Sequence, residues 1–404
     1  MIGALLAAAG LAVPMATPAA AAPLLPNAHF VLPSFGVNEG WNVQRHLRVL
    51  ADVTGDGRAD IVGFGESGVD TAVANGSGAF FSEQPAIQND FAYNQGWRNG
   101  GPDGPRTPRF VTDITGDGRA DIVGIGTSGV HTAVATGSGG FGPAAFWPNS
   151  FTASQCRNGN YMADLNADHR DDLICGLANG SFNVAIALGN GGFGLPKGLT
   201  GEVFPQSSFM HFTDVTSDGR ADLVAVPFPV NPPYVLRSAS PRSDDSYPAT
   251  RNAGGQLPGG STALGFDIAD VNGDACADLI AFGTMTYRAL GNCSGLFQPY
   301  QPVSTDFNYN WARAMTVVTD VTADRQSDIV GFGEAGVFTA RGQSNGSFTG
   351  AQFVVSDFGY NQGWRLGTHP RYVADITGDG RADIVGFGDA GIYTAVGQGD
   401  GTFA

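Results

Sequence analysis

A nine-residue phrase with carboxylates at its first, fifth and ninth positions carries most of the chemistry this sequence could do. It recurs seven times, as Asp52, Asp56 and Asp60; Asp113, Asp117 and Asp121; Asp164, Asp168 and Asp172; Asp214, Asp218 and Asp222; Asp270, Asp274 and Asp278; Asp320, Asp324 and Asp328; and Asp375, Asp379 and Asp383. The third position is Thr or Asn, and Asn166 and Asn272 are the better oxygen donors there. Oxygen ligands at this spacing suit a hard cation, so calcium is the expected ion, in a structural role because no general base accompanies it. Two carboxylates about 4 Å apart repel by about 4 kcal/mol at an effective dielectric of about 20, so something must offset them. The alternative offset is hydrogen bonds from backbone N–H groups, or pairing with Arg58, Arg119, Arg220 and Arg381 at the seventh position. Phrases 3, 5 and 6 carry His169, Ala275 and Arg325 where the others have Gly.

A second constellation repeats between the phrases. Asn38, Gly40 and Trp41; Asn94, Gly96 and Trp97; Asn310 and Trp311; and Asn361, Gly363 and Trp364 each set an amide beside an indole. Such a pair suits the hydroxyl edge and the apolar C–H face of a sugar. The alternative is that the Trp packs between structural units and the Asn shapes a turn. Segments 149–160 and 227–261 lack the Asn-Gly-Trp unit, so fewer sugar sites than repeats are expected.

Something must hold both constellations in place. The phrases start 50 to 61 residues apart, and residues 27–404 give about 54 residues for each of seven units. That period predicts an all-β, seven-bladed propeller of four-stranded antiparallel blades, forming a single domain over 27–404. In each blade strand A precedes the phrase, B follows it, C is a run such as Ile392 to Val396, and a glycine turn leads to D. The chain ends after a C strand and its turn, while the segment from Phe30 to Trp41 matches the missing D strand and loop. The N-terminal strand is therefore expected to close the ring. The phrases and C–D turns then lie on one face. The Trp loops share the other with the B–C turns, which carry Asp70, His131, Phe338 and Tyr393.

The run DITGDGRADIVGFG followed by GIYTAV, with FVVSDFGYNQGW between units, resembles FG-GAP-type repeats. Most closely it resembles the seven-bladed lectin propellers of the Psathyrella velutina type, over nearly all of residues 27–404. The resemblance implies a calcium-containing lectin that binds N-acetylglucosamine and related sugars, sialic acid among the candidates, in pockets between consecutive blades. Protein adhesion of the integrin type and a polysaccharide-active enzyme are the alternative classes.

Composition narrows the field. The 404 residues are 42% hydrophobic and 14% charged, with 37 acids against 21 bases and a net charge of −16, which repels nucleic acid and anionic lipid. The first, fifth and ninth positions of the phrases alone account for 21 of those acids. No zinc or nucleophile motif is present, and the GxGxxG runs at 63–68, 124–129, 331–336 and 386–391 lead into strands rather than a phosphate-binding helix, so no catalysis is expected. Residues 1–22 read as a secretory signal peptide, so export without membrane insertion is expected; a monomer is expected as well. Cys156 with Cys175 and Cys276 with Cys293 are spaced for two disulfides across neighbouring strands.

Overall fold

The second strand of each repeat dictates the architecture. In Asp60–Phe64, Asp121–Ile125, Asp172–Gly176, Asp328–Phe332 and Asp383–Phe387 every residue is buried. Such a run must be covered on both faces, which a lone sheet cannot do, so the sheets must stack. The computed structural model describes residues 28–404 apart from 101–105, 149, 158, 200–208, 227–236, 240–250, 255–262 and 308–314. Its strands form seven four-stranded antiparallel sheets, the architecture of an all-β propeller. Blade 1 comprises Leu47–Ala51, Asp60–Phe64, Val69–Ala72 and Gln84–Gln88, with Ala51 opposite Asp60 and Phe64 opposite Val69. The other sheets are numbered in chain order. Blade 7 comprises Arg371–Ala374, Asp383–Phe387 and Ile392–Ala395, and its fourth strand is His29–Leu32, with Phe30 opposite Tyr393.

Neighbouring blades are stitched by the same few bonds. Thr71, Thr132, Thr339 and Thr394, all on third strands, donate their hydroxyls to the carbonyls of Gly139, Gly191, Gly401 and Gly78 in the blade beyond. The last of these joins blade 7 to blade 1. On the phrase side, Ala120 donates its N–H to the Asp52 carbonyl, Asp171 to Asp113, and Ala59 to Asp375, again linking the last repeat to the first. Apolar side chains fill the space between. Val53, Val62 and Phe64 of blade 1 pack against Ile122 and Ala133 of blade 2, and Ile61 packs against Val385 and Phe387 of blade 7. Each fully buried Ile, Val or Phe contributes about 1.5–3 kcal/mol relative to exposure, so every sheet depends on its neighbours. Both expected disulfides are present, Cys156–Cys175 and Cys276–Cys293. Among the described residues no helix is long and apolar enough to cross a membrane. The expected signal segment, 1–22, lies outside the described residues, as do Asn310 and Trp311.

Candidate functional site

The loops that enter blades 1, 2 and 7 share one frame. Each makes a single 3-10 turn, Val37–Glu39, Tyr93–Gln95 or Tyr360–Gln362, and leaves it through a left-handed glycine: Gly40, Gly96 or Gly363, with φ of 93°, 96° and 98°. That conformation is why the Asn-x-Gly-Trp spacing recurs. The following Trp turns back onto the second strand of the blade, where a glycine leaves room for it. A Cβ on Gly63, Gly124 or Gly386 would sit 2.5, 2.4 or 2.5 Å from the Cη2 of Trp41, Trp97 or Trp364. The three indoles are only 8, 4 and 6% exposed, so they act first as wedges. The Asn38, Asn94 and Asn361 side chains point to solvent, and the turn uses their backbone: Asn38 donates its N–H to the Asp389 carbonyl and Asn94 to Glu66.

Two supports of this frame escaped the sequence reading. Phe35, Phe91 and Phe358 take positive φ values of 64°, 66° and 61°, a strained choice for an aromatic residue. The carbonyl of each is held by a buried guanidinium, Arg48, Arg109 or Arg371, whose affinity for its proton burial lowers to a pKa of about 10. The indole N–H of Trp97 and Trp364 donates to Asp90 and Asp357, at 2.9 and 2.8 Å. The recurrence of Arg at strand starts and of Asp before Phe was the available signal. In blade 3 a disulfide takes over the wedge: Cys156 stands where the Trp would be and Cys175 where the glycine would be.

At blade 7 this frame borders a pocket of about 180 Å³, lined on one side by Asp357, Gln362, Gly363 and Trp364, and on the other by His369, Gly388, Asp389 and Tyr393. The structure therefore brings together Gly363, Trp364 and Tyr393 of the expected set, while Gln362 takes the place expected of Asn361. Asp357 Oδ1 accepts the Phe358 N–H and the Trp364 indole N–H. Its Oδ2 carries no bond among the described residues. His369 accepts the Arg365 N–H through Nδ1 and faces Asp389 through Nε2, at 3.0 Å, so the imidazole positions that carboxylate. The Tyr393 ring lies edge-on to Trp364 at 5.7 Å and against the half-exposed Phe30 at 5.2 Å. At blade 2, His131 stands in the place of Tyr393. Its Nδ1 is 3.0 Å from Asp90 Oδ2, and it packs on Trp97 and Phe146. Burial would raise the Asp90 carboxyl, but the bonds from His131, Trp97 and the Phe91 N–H outweigh it and hold the pKa at about 2. Phe338 stacks on Phe353 at 5.0 Å in blade 6.

The aspartate phrases are built differently from a chelate. Asp52 Oδ1 accepts the N–H groups of Thr54, Gly55 and Asp56, and Oδ2 that of Gly57. Asp113, Asp164, Asp270, Asp320 and Asp375 use both oxygens the same way, and Asp214 accepts from Thr216 and Gly219. All seven fifth-position aspartates accept a backbone N–H two residues on, and Asp56, Asp117, Asp168 and Asp379 also pair with the guanidiniums of Arg58, Arg119, Arg170 and Arg381. Asn166 and Asn272 accept the Asp168 and Asp274 N–H groups. The ninth-position carboxylates are wholly buried. Asp60 bridges the N–H groups of Val53 and Ala74, and Asp121, Asp172, Asp278, Asp328 and Asp383 repeat that bridge, with Asp222 accepting from Val215. Burial pushes Asp60, Asp121, Asp278, Asp328 and Asp383 up to about 6, and Asp172 to about 7, against the pull of those bonds. Among the described residues no three or more His, Cys, Asp or Glu side chains form a group that could hold a metal ion. As placed, the acceptor oxygens of the phrases face backbone N–H and guanidinium donors, the second of the two offsets expected for their mutual repulsion. Their evident work is clasping blades. Arg58 lies between Gly378 of the phrase before it and Gly76 of its own blade, and in blade 5 the Cys276–Cys293 disulfide replaces that arginine contact.

A model of the FG-GAP-like repeat matches residues 113–175. No curated protein matches the chain. Among solved structures, the chain is similar to a lectin from Agrocybe aegerita described as specifically recognising non-reducing terminal N-acetylglucosamine. The identity is 28% over 93% of this chain and 83% of that one, with a TM-score of 0.51. It is also similar in fold to the BP39L lectin of Burkholderia pseudomallei, at 13% identity over 89% and 97% of the two chains and a TM-score of 0.55.

Proposed function

We propose that this protein is a carbohydrate-binding lectin without catalytic activity that takes terminal N-acetylglucosamine-type sugars in the pocket at blade 7. We read its seven sheets as one ring closed by the N-terminal strand, and its two disulfides, with the apolar segment 1–22, as those of an exported monomer. The observation that carries the binding reading is the pairing of an open carboxylate oxygen, Asp357 Oδ2, with the ring of Tyr393 and the indole edge of Trp364 in one small cleft. The open carboxylate oxygen accepts sugar hydroxyls strongly, and the Tyr393 ring covers the sugar's C–H surface. The likeness to a lectin described as recognising N-acetylglucosamine supports the choice of sugar. Calcium is left out of this reading, on the geometry of the phrases. A calorimetric titration with N-acetylglucosamine should give saturable binding, and a glycan array including sialylated chains should favour N-acetylglucosamine termini. Absence of binding in both would overturn the proposal.

A further inference from the structure

The cleft between the loops entering blades 2 and 3 is the same place in the fold as the cleft between the loops entering blades 1 and 2, with two groups missing. In the latter, Arg45 lies over the Tyr93 ring at 4.4 Å and reaches the Glu66 carboxylate at 3.8 Å. The register of the two clefts is fixed by one backbone bond: Tyr93 donates its N–H to the Gly65 carbonyl, and Ala153 donates its N–H to the Gly126 carbonyl. Ala153 thus replaces the tyrosine, and Thr127 replaces the glutamate. Arg106 occupies the position of Arg45, three residues before the buried Arg109 as Arg45 is three before Arg48. Among the described residues neither ring nor carboxylate covers it.

The second guanidinium repeats the pattern. Arg98 and Arg365, each following the wedge Trp, stack on Tyr93 and Tyr360 at 3.9 and 3.7 Å. Arg157 follows Cys156, which stands in the place of that Trp, and its Nε donates to the Ser154 carbonyl. The space left by the missing ring is a cavity of about 440 Å³ lined by both arginines, Pro108, Ala153 and Cys156, with Thr127 at its edge. No carboxylate lines it among the described residues, in a chain whose net charge is −16. Two guanidiniums over an apolar floor favour an anion carried on a ring.

We infer that this cavity is a second ligand site, specific for an acidic sugar whose ring and carboxylate replace the tyrosine and glutamate of the neighbouring cleft. The choice of a sugar over other ring carboxylates rests on the lectin reading; the site itself does not. Arg106 and Arg157 hold the carboxylate, and the ring lies over Ala153, Pro108 and the disulfide.

Calorimetry on the full chain with D-glucuronate, benzoate, sulfate and N-acetylglucosamine tests this. Glucuronate should bind, and Thr127→Glu or Ala153→Tyr, which restore the neighbouring cleft's own groups, should each weaken it by about tenfold, the scale of one lost charge-assisted hydrogen bond. N-acetylglucosamine binding should be unchanged in both. Arg106→Ala with Arg157→Ala should abolish glucuronate binding while thermal melting stays at the wild-type temperature. Failure of glucuronate to bind, or equal binding in the Thr127→Glu chain, overturns the site. Sulfate binding as tightly as glucuronate overturns the ring requirement, and benzoate doing so overturns the sugar. Glucuronate binding with a blank N-acetylglucosamine titration would sink the proposal for blade 7 and leave this one standing.

Discussion

The loops entering blades 2 and 7 have the same turn, the same left-handed glycine, the same wedge and the same Asp on the indole N–H, yet they end in different sites. In blade 2 His131 caps the second oxygen of Asp90. In blade 7 Tyr393 stands there instead, Asp357 Oδ2 carries no bond among the described residues, and the frame borders a pocket. The frame is therefore a structural device, and recognition is decided by what the third strand sets beside it. Blade 3 makes the same point from the other side, since a disulfide supports the loop with no indole at all.

The comparison breaks most readily at the wedge. Trp364→Ala should cost about 3–5 kcal/mol in denaturant-induced unfolding, as for other large buried aromatics. A cost below about 1 kcal/mol, with only sugar binding affected, would mean that the indole serves the ligand and not the frame. The corresponding change in blade 3, Cys156→Ala with Cys175→Ala, should cost about 3 kcal/mol, the value expected for closing a loop of this length. If reduction of the protein leaves the melting temperature unmoved, the disulfide is no substitute for the wedge.

Much of this was legible in the sequence, for physical reasons. The period of the acidic phrase fixes the number of sheets, because each phrase joins two strands of one blade, and the Phe30 to Trp41 match fixes where the first strand goes. Gly386 under Trp364 was less visible. A glycine inside a buried strand signals a close approach, but the approaching group comes from a distant loop. The meaning of the carboxylates was the hardest to read. Asp52, Asp56 and Asp60 have the spacing of ligands, and the same spacing lets Arg58 and backbone N–H groups, the latter without a sequence signature, face their oxygens. His131 and Tyr393 were both expected at the sugar face. Only the structure separates the one that closes its carboxylate from the one that leaves it open.

That closure has a pH signature. The bonded Asp90 is held at about 2 against an ordinary 3.8, so it stabilises the fold by about 2 kcal/mol at 1.36 kcal/mol per unit. Because the folded value is the lower one, the contribution is complete above the ordinary value and disappears as pH falls from about 4 to about 2. Asp90→Asn should be less stable than the parent at pH 7 and equal to it near pH 2, measured by urea midpoints. A deficit independent of pH would assign the effect to shape rather than charge.

The same pair predicts a gain of function. Tyr393→His should cap Asp357 and weaken N-acetylglucosamine by about tenfold, or 1.4 kcal/mol, whereas His131→Tyr should release Asp90 and add one binding equivalent in calorimetry. Unchanged stoichiometry in the His131→Tyr chain would show that an open carboxylate is not what makes the site.

The smallest effect is expected on the opposite face. Arg58 and Asp56 are 28 and 30% exposed, and ion pairs at such positions contribute at most about 1 kcal/mol. Arg58→Gln should therefore lower stability by less than that, because the Asp52 and Asp60 carboxylates keep their backbone N–H donors. Adding EDTA or calcium should leave the melting curve where it was, for the same reason. A rise in melting temperature on calcium addition, lost in Asp52→Asn, would mean that these carboxylates turn out of their hydrogen bonds toward a cation. The phrase would then be a ligand set that closes on itself when empty, and the clasp between blades would depend on metal.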